Sequence, residues 1–333
     1  MHTSRSSQKL LIRHQTHKDC GQNDFCTLHS GDQLPLCPGR GYIGTTQVKF
    51  PYNRDSKIIG SCNGILLLTD DKNRITLWNP SIRHTLTLPH YPRRCSLTGF
   101  GFDPITNNYK IVSICHPYSY VYAMKTRTWC PILSCPTPVF FGMSNACFVN
   151  GALHWVVKEF NKSEQTDLSC IMTFDLSTNL FGMIALPEPS WETARLTTIQ
   201  GSLAVLSTRD GETWTWVRRD ASWSVAFKTK IGQDLGGINR VLKLKANGDM
   251  LFSTWCTEFH SKVSIEKTHF QVYTHETGAQ SKLVDFDGTF GIVGMEMCVQ
   301  SIQLLGMRTS CEEKQPSFLE GKKTGEIMDV VIR

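Results

Sequence analysis

Residues 75–89 run Ile75-Thr76-Leu77-Trp78-Asn79-Pro80-Ser81-Ile82-Arg83-His84-Thr85-Leu86-Thr87-Leu88-Pro89. Ile75 to Trp78 is a short strand pattern that ends on an aromatic. Asn79, Pro80 and Ser81 are turn formers, so the chain reverses there. It returns as the alternating run Thr85–Leu88. Pro89 has no amide hydrogen and stops the ladder. Upstream, Asn63-Gly64 precedes Ile65-Leu66-Leu67-Leu68. Glycine takes positive φ without steric cost and asparagine tolerates it, so this pair turns or opens a strand.

The same grammar recurs. "NGALHWVV" is followed by "IMTFDLSTNLFGMIALP" (Ile171 to Pro187), with "YKIVSI" and "YVYAMKTRTWCPI" between the two units. "GSLAVL" with "WTWVRRDASWSVAFKT", and "NGDMLFSTW" with "FQVYTHETGAQSKLVDF", come later. Runs are four to eight residues long, bounded by Asn, Gly, Asp or Pro, and no stretch holds a helical period over three turns. Aligning the aromatics gives Trp78, Tyr122, Phe174, Trp216 and Tyr273, separated by 44, 52, 42 and 57 residues. That imperfect period is close to a propeller blade's. One such unit cannot bury both of its faces, so neighbours must stack around an axis. The expected fold is all-β and β-propeller-like, with five to six imperfect four-stranded blades. Five are counted directly, and a sixth is assembled from residues 45–60 and 286–305.

Three regions follow: an irregular His/Cys-rich segment at 1–47, the propeller-like domain at 48–305, and a charged tail at 306–333. The 333 residues are 40% hydrophobic and 10% aromatic, enough for a large core. The net charge is +6, and residues 1–60 hold eight Lys/Arg against four Asp/Glu, so the body is nearly neutral. Nucleic-acid tracks need a dense basic stripe, so none is expected here. No apolar run is long enough for a membrane helix. Thirteen scattered Cys and no secretory signal point to reduced thiols in the cytoplasm or nucleus.

Seven segments in order, "GSCNGILLLTD", "ITLWNPSIRHTLTLP", "GFGFDPITNNYKIV", "VYAMKTRTWCPI", "FVNGALHWVV", "IMTFDLSTNLFGMIALP" and "GSLAVL", resemble the associated domain of plant F-box proteins of the F-box/kelch-repeat type. The resemblance spans about Lys57 to Leu305. It implies a substrate receptor of a Skp–cullin–F-box ubiquitin ligase, in which the propeller holds a target protein and other subunits transfer ubiquitin. An F-box itself is not read in residues 1–60: Leu34-Pro35 is followed by "LCPGRGYIG", which has no helical period. Ser6 to Ile12 resembles the segment just after an F-box, which makes residues 1–47 a post-F-box remnant. A Skp-type adaptor is therefore expected as a partner only if an F-box lies upstream, and the target protein is unknown.

Catalytic, cofactor and metal residues are expected to be none. No GxSxG, HExxH or phosphate-loop pattern occurs, and no acid repeats at one strand position of successive units. Gly99-Phe100-Gly101 leads into Asp103-Pro104, a strand-turn signal. His14, His17, Cys20, Cys26, His29 and Cys37 lack the paired spacing of a zinc site. His154, Trp78, Trp155 and Trp216 sit in strands, where packing is the reading. Partner contacts on propellers come from loops, and aromatics and arginines make the strongest ones. The candidates for a partner surface are Tyr91, Arg93, Arg94, Tyr118, Tyr120 and Trp191. A kelch-type scaffold unrelated to ubiquitin is the alternative reading.

Overall fold

The structure is a computed structural model that describes residues 8–16, 24–30, 46–51, 56–70, 72, 74–91, 97–115, 118–132, 140–142, 146–161, 166–187, 193–209, 211–230, 238–260, 263–283 and 290–304. These residues form strands and turns and no helix, in six antiparallel sheets. Blade 1 contains β1 (Gln8–Thr16), β2 (Phe25–Ser30) and β3 (Thr46–Lys49). Blade 2 is β4 (Lys57–Cys62), β5 (Ile65–Thr69), β6 (Ile75–Asn79) and β7 (His84–Leu88). Blade 3 is β8 (Leu97–Asp103), β9 (Asn108–Cys115), β10 (Tyr118–Ala123) and β11 (Thr128–Ile132). In blade 4 the innermost strand is broken into β12 (Phe140–Gly142) and β13 (Cys147–Val149), both paired with β14 (Ala152–Asn161). Its outer strands are β15 (Thr166–Asp175) and β16 (Leu180–Ala185). Blade 5 is β17 (Thr193–Ile199), β18 (Ser202–Arg209), β19 (Glu212–Arg219) and β20 (Ser222–Thr229). Blade 6 is β21 (Ile238–Leu244), β22 (Met250–His260), β23 (Val263–Thr274) and β24 (Ala279–Leu283). The last strand, β25 (Phe290–Val299), returns to blade 1 as its innermost member, in the order β25-β1-β2-β3.

The all-β propeller expected from the repeats is therefore the fold, with six blades. The sixth blade is built differently from the expectation. Residues 46–49 and 290–299 do join it, as β3 and β25, but β4 at 57–62 opens the next blade, and the two middle strands come from residues 8–16 and 25–30. Residues 8–16 and 25–30, read above as part of an irregular segment, are strands. Leu10 and Leu11 are both fully buried because β1 lies inside the sheet, paired on both edges, with blade 6 packed over Leu10 and blade 2 over Leu11. A strand covered on both faces shows a continuous apolar run instead of alternation, and its β25 partner lies at the far end of the chain.

Turn chemistry sets the strand registers. Asn63-Gly64, Asn150-Gly151 and Gln200-Gly201 join the first two strands of blades 2, 4 and 5, each with both residues at positive φ. That is the two-residue geometry that matches strand twist. The last two strands of blades 2, 3, 4 and 6 use four-residue turns whose final residue has positive φ: Arg83, Arg127, Asn179 and Gly278. Blade 5 replaces this with Asp220-Ala221, at φ 46° and 64°. The shorter turn shifts the repeat by two residues. Counting from the turn, the position of Trp78, Tyr122, Phe174 and Tyr273 is occupied in blade 5 by Arg218, paired with Trp223, and Trp216 lies one step further back. In blade 1 it is occupied by His29.

The core consists of sheet-on-sheet clusters between blades. Trp78 faces blade 1, Tyr122 faces blade 2, Phe174 faces blade 3 and Tyr273 faces blade 5, all at most 5% exposed. Between blades 3 and 4, Gly99 and Gly101 leave room for Trp155, Leu153 and Phe148. Asp103 in the blade 3 turn is paired with Lys110 at 3.1 Å and takes a hydrogen bond from Ser177 of blade 4.

Between blades 1 and 6, the His29 position holds a buried polar chain. His14 Nε2 and His29 Nε2 each hydrogen-bond Thr27 Oγ1 at 2.8 Å. Burial, then the neighbouring His14, lowers the His29 pKa from 6.5 to about 4. The unfolded chain binds this proton below pH 6.5 and the folded one does not until about pH 4. Stability is expected to fall across that window as the pH drops, by up to about 3 kcal/mol. Urea melts of the wild type and of His29→Gln at pH 7, 5.5 and 4.5 check this. The variant should show a clearly smaller loss between pH 7 and 4.5, and an equal loss would assign the effect elsewhere.

Candidate partner-binding surface

The expected surface residues fall into two groups. Arg93, Arg94 and Trp191 lie outside the described residues. Tyr91, Tyr118 and Tyr120 belong to blades 2 and 3, and the structure shows how far each is committed to the core. β10 puts Tyr118, Tyr120 and Tyr122 on one face by the two-residue period of a strand. Their exposure falls along the strand: Tyr118 is 47% exposed, Tyr120 half-buried and Tyr122 2% exposed. Burial raises the Tyr122 phenol pKa, with the nearby Arg127 charge acting against it. Tyr122 packs on Trp129 with ring centroids 5.3 Å apart, and Tyr91 packs on the same indole at 5.4 Å. Tyr91 is thus part of the seam between blades 2 and 3, whereas Tyr118 projects from its end.

Trp129 was not singled out from the sequence, and it holds this seam together. Its Nε1–H donates to the Pro89 carbonyl of blade 2 at 3.3 Å. Trp223 does the same between blades 5 and 4, donating to the Ala185 carbonyl at 3.0 Å. Both tryptophans are the second residue of the outermost strand, and Pro89 and Ala185 occupy equivalent places in their blades. The signal was present as "TRTW" and "DASW" after the aromatic strand.

A second polar feature joins the innermost strands. Glu296 of β25 accepts from Arg240 of β21 at 2.6 Å and from Ser61 of β4 at 3.1 Å. Blades 6, 1 and 2 are linked at the point where the ring closes. Asn79 of β6 adds three hydrogen bonds to the segment after β25, to Ser301 O and Oγ at 3.1 Å each and to Gln303 O at 2.8 Å. Leu304, 1% exposed, enters the cluster between blades 2 and 3. No local pattern announces contacts between residues more than 200 positions apart.

The strand residues weighed above have packing roles. Trp78 and Trp155 are 1% and 0% exposed, and Trp155 Nε1–H donates to the Thr98 carbonyl at 3.3 Å. Trp216 is half-buried between blades 4 and 5. His154 is 8% exposed and donates Nδ1–H to the Cys147 carbonyl at 3.2 Å. Burial lowers its pKa, and the nearby Arg218 charge lowers it further. Of the N-terminal His and Cys, His14 and His29 meet at Thr27, while Cys26 packs on the opposite face against blade 2. His17, Cys20 and Cys37 lie outside the described residues. Among the described residues no three His, Cys, Asp or Glu side chains are grouped to hold a metal ion. Burial pushes the Cys26, Cys62, Cys147 and Cys298 thiols up to about 12, so they are protonated and weakly nucleophilic. Also among the described residues, no helix is long and apolar enough to cross a membrane.

The arrangement offers tyrosine and tryptophan edges at inter-blade seams. The family described as "F-box associated beta propeller domain" matches residues 16–233. An F-box/kelch-repeat protein of Arabidopsis thaliana is 24% identical over 66% of this chain and 54% of its own length. Two putative F-box proteins of the same plant are 22% identical over 52% of this chain and 50% of theirs, and 31% identical over 40% and 30%. The chain thus spans about half or less of the length of these relatives.

Proposed function

We propose that this chain, which belongs to the F-box associated β-propeller domain family, is the target-holding part of a Skp–cullin–F-box ubiquitin ligase. Membership of that family makes the chain a receptor-like interaction domain. In this proposal the bound protein is ubiquitinated, by subunits other than this chain, in the cytoplasm or nucleus. The observation that carries the reading is the family match over residues 16–233 on a propeller whose seams expose aromatic edges such as Tyr118.

Adaptor docking belongs to a helical F-box, and residues 8–16, 25–30 and 46–49 are committed to blade 1 as strands. The 333-residue chain is therefore expected not to retain a purified Skp-type adaptor in a pull-down, while a full-length F-box relative does. Joined to an F-box, the same chain is expected to lower the abundance of a small set of proteins in plant cells. Their levels should recover on proteasome inhibition and stay unchanged with the F-box alone. Adaptor retention by the chain itself overturns the expectation that it docks no adaptor unaided, and no proteasome-dependent loss overturns the ligase reading.

A further inference from the structure

Four blades place a buried aromatic at the second-last residue of their third strand, facing the preceding blade. Blade 5 places Arg218 there. A cation in a position built for an aromatic gives up part of its hydration, yet Arg218 makes no hydrogen bond or ion pair with a described residue, and its Nε is buried without an acceptor. Asp220, the nearest acid along the chain, is an exposed turn residue that makes no ion pair with it.

The walls of the site are aromatic and neutral. Trp216 lies two residues back on the same face of β19 and packs into the seam between blades 4 and 5. Trp223 is the cross-strand neighbour of Arg218, and its indole is anchored on the Ala185 carbonyl. His154 faces the seam from blade 4, close enough for the Arg218 charge to disfavour its protonation. A guanidinium beside two tryptophans of the same sheet face, partly open to solvent and with no ion-pair partner among the described residues, suits a planar carboxylate held by its two-pronged donor edge.

We infer that the seam between blades 4 and 5 at Arg218 is a recognition site for an Asp or Glu side chain of a partner protein. This rests on the reading of the propeller as an interaction domain, but not on any link to ubiquitin. If Arg218 serves binding and not folding, an unbranched apolar side chain of similar length should fill the site at no cost. Uncompensated buried polar atoms are destabilising, and functional sites commonly carry such a cost.

The test is a random dodecapeptide library displayed on phage, selected on the full chain, together with thermal melts. Arg218→Met is expected to melt at or above the wild-type temperature. Enriched peptides should share an Asp or Glu, and should bind Arg218→Met at least tenfold more weakly. Replacing the peptide's acid by its amide should cost the same factor, and Arg218→Lys should fall between. A melting temperature several degrees lower in Arg218→Met makes the arginine structural and overturns the site. So does a failure to enrich peptides, or enriched peptides that ignore the substitution; the latter leaves the interaction reading intact. A peptide that binds only with phosphoserine in place of its acid overturns the carboxylate assignment.

Discussion

Lys110→Met is expected to destabilise the protein by about 3–5 kcal/mol, the usual cost of stripping a buried ion of its partner. Asp103 is fully buried and Lys110 6% exposed. Their carboxylate and ammonium lie 3.1 Å apart. Burial by itself would raise the Asp103 pKa, but hydrogen bonds from Thr106, Ser177 and Lys110 outweigh it and hold the carboxyl well below the usual carboxylate range. The amides of Ile105 and Thr106 add contacts at 3.0 and 3.2 Å. Lys110 also donates to the Leu176 carbonyl and to Asn179 Oδ1, so one ammonium fastens the turns of blades 3 and 4 to each other. The double variant Asp103→Asn with Lys110→Met removes the stranded charge and should recover a large part of the loss in urea melts. If the double variant is as unstable as the single one, the charge pair is not the cause. The sign with pH follows from the lowered pKa. The folded state keeps Asp103 ionised where the unfolded chain, near pH 4, takes up a proton. This contribution is complete above that pH and is lost as the pH falls further.

Gly101→Val is expected to cost about 3 kcal/mol or more, as overpacking of a dense core does. A Cβ at Gly101 would stand 2.5 Å from Phe148 Cδ2 and 2.8 Å from Leu176 Cδ1. At Gly99 it would stand 2.7 Å from Trp155 Cζ2 and 2.8 Å from Leu153 Cδ1. These atoms belong to half-buried or buried side chains in the seam between blades 3 and 4, where one neighbour can move only against another. The expected readout is a melting temperature lower by roughly 6–10 °C. Gly60→Ala is the control, since nothing lies within 4 Å of its added carbon. Equal shifts in the two variants would show that backbone freedom, not the close approach of blade 4, is what Gly101 supplies.

Both predictions concern residues whose importance was only half legible in the sequence. "GFGFDP" could be read as strand followed by turn, and β8 followed by the Asp103 turn is what forms. The reason for its glycines could not be read, because Phe148 and Trp155 come from another blade. The aromatic period was visible at Trp78, Tyr122, Phe174 and Tyr273. It was misassigned to Trp216 because blade 5 turns in two residues where the other blades use four, and a period counted along the chain does not register a shortened turn. Tyr91, a partner-surface candidate by its sequence, packs on Trp129. Tyr118 is the most exposed of the described candidates, at 47%.

Strand and turn identity are local properties, set by alternation, β-branching and the tolerance of Asn and Gly for positive φ. The sequence by itself therefore determined the all-β class, the blade unit and most hairpins. Ring closure is a long-range property, and so are the seams. Only the tertiary structure could pair Gln8 with Val299, bring Arg240 and Ser61 to Glu296, and set Arg218 beside Trp223 with no ion pair among the described residues. Side chains that meet across blades carry no shared period along the chain, so their chemistry is decided where the sheets stack.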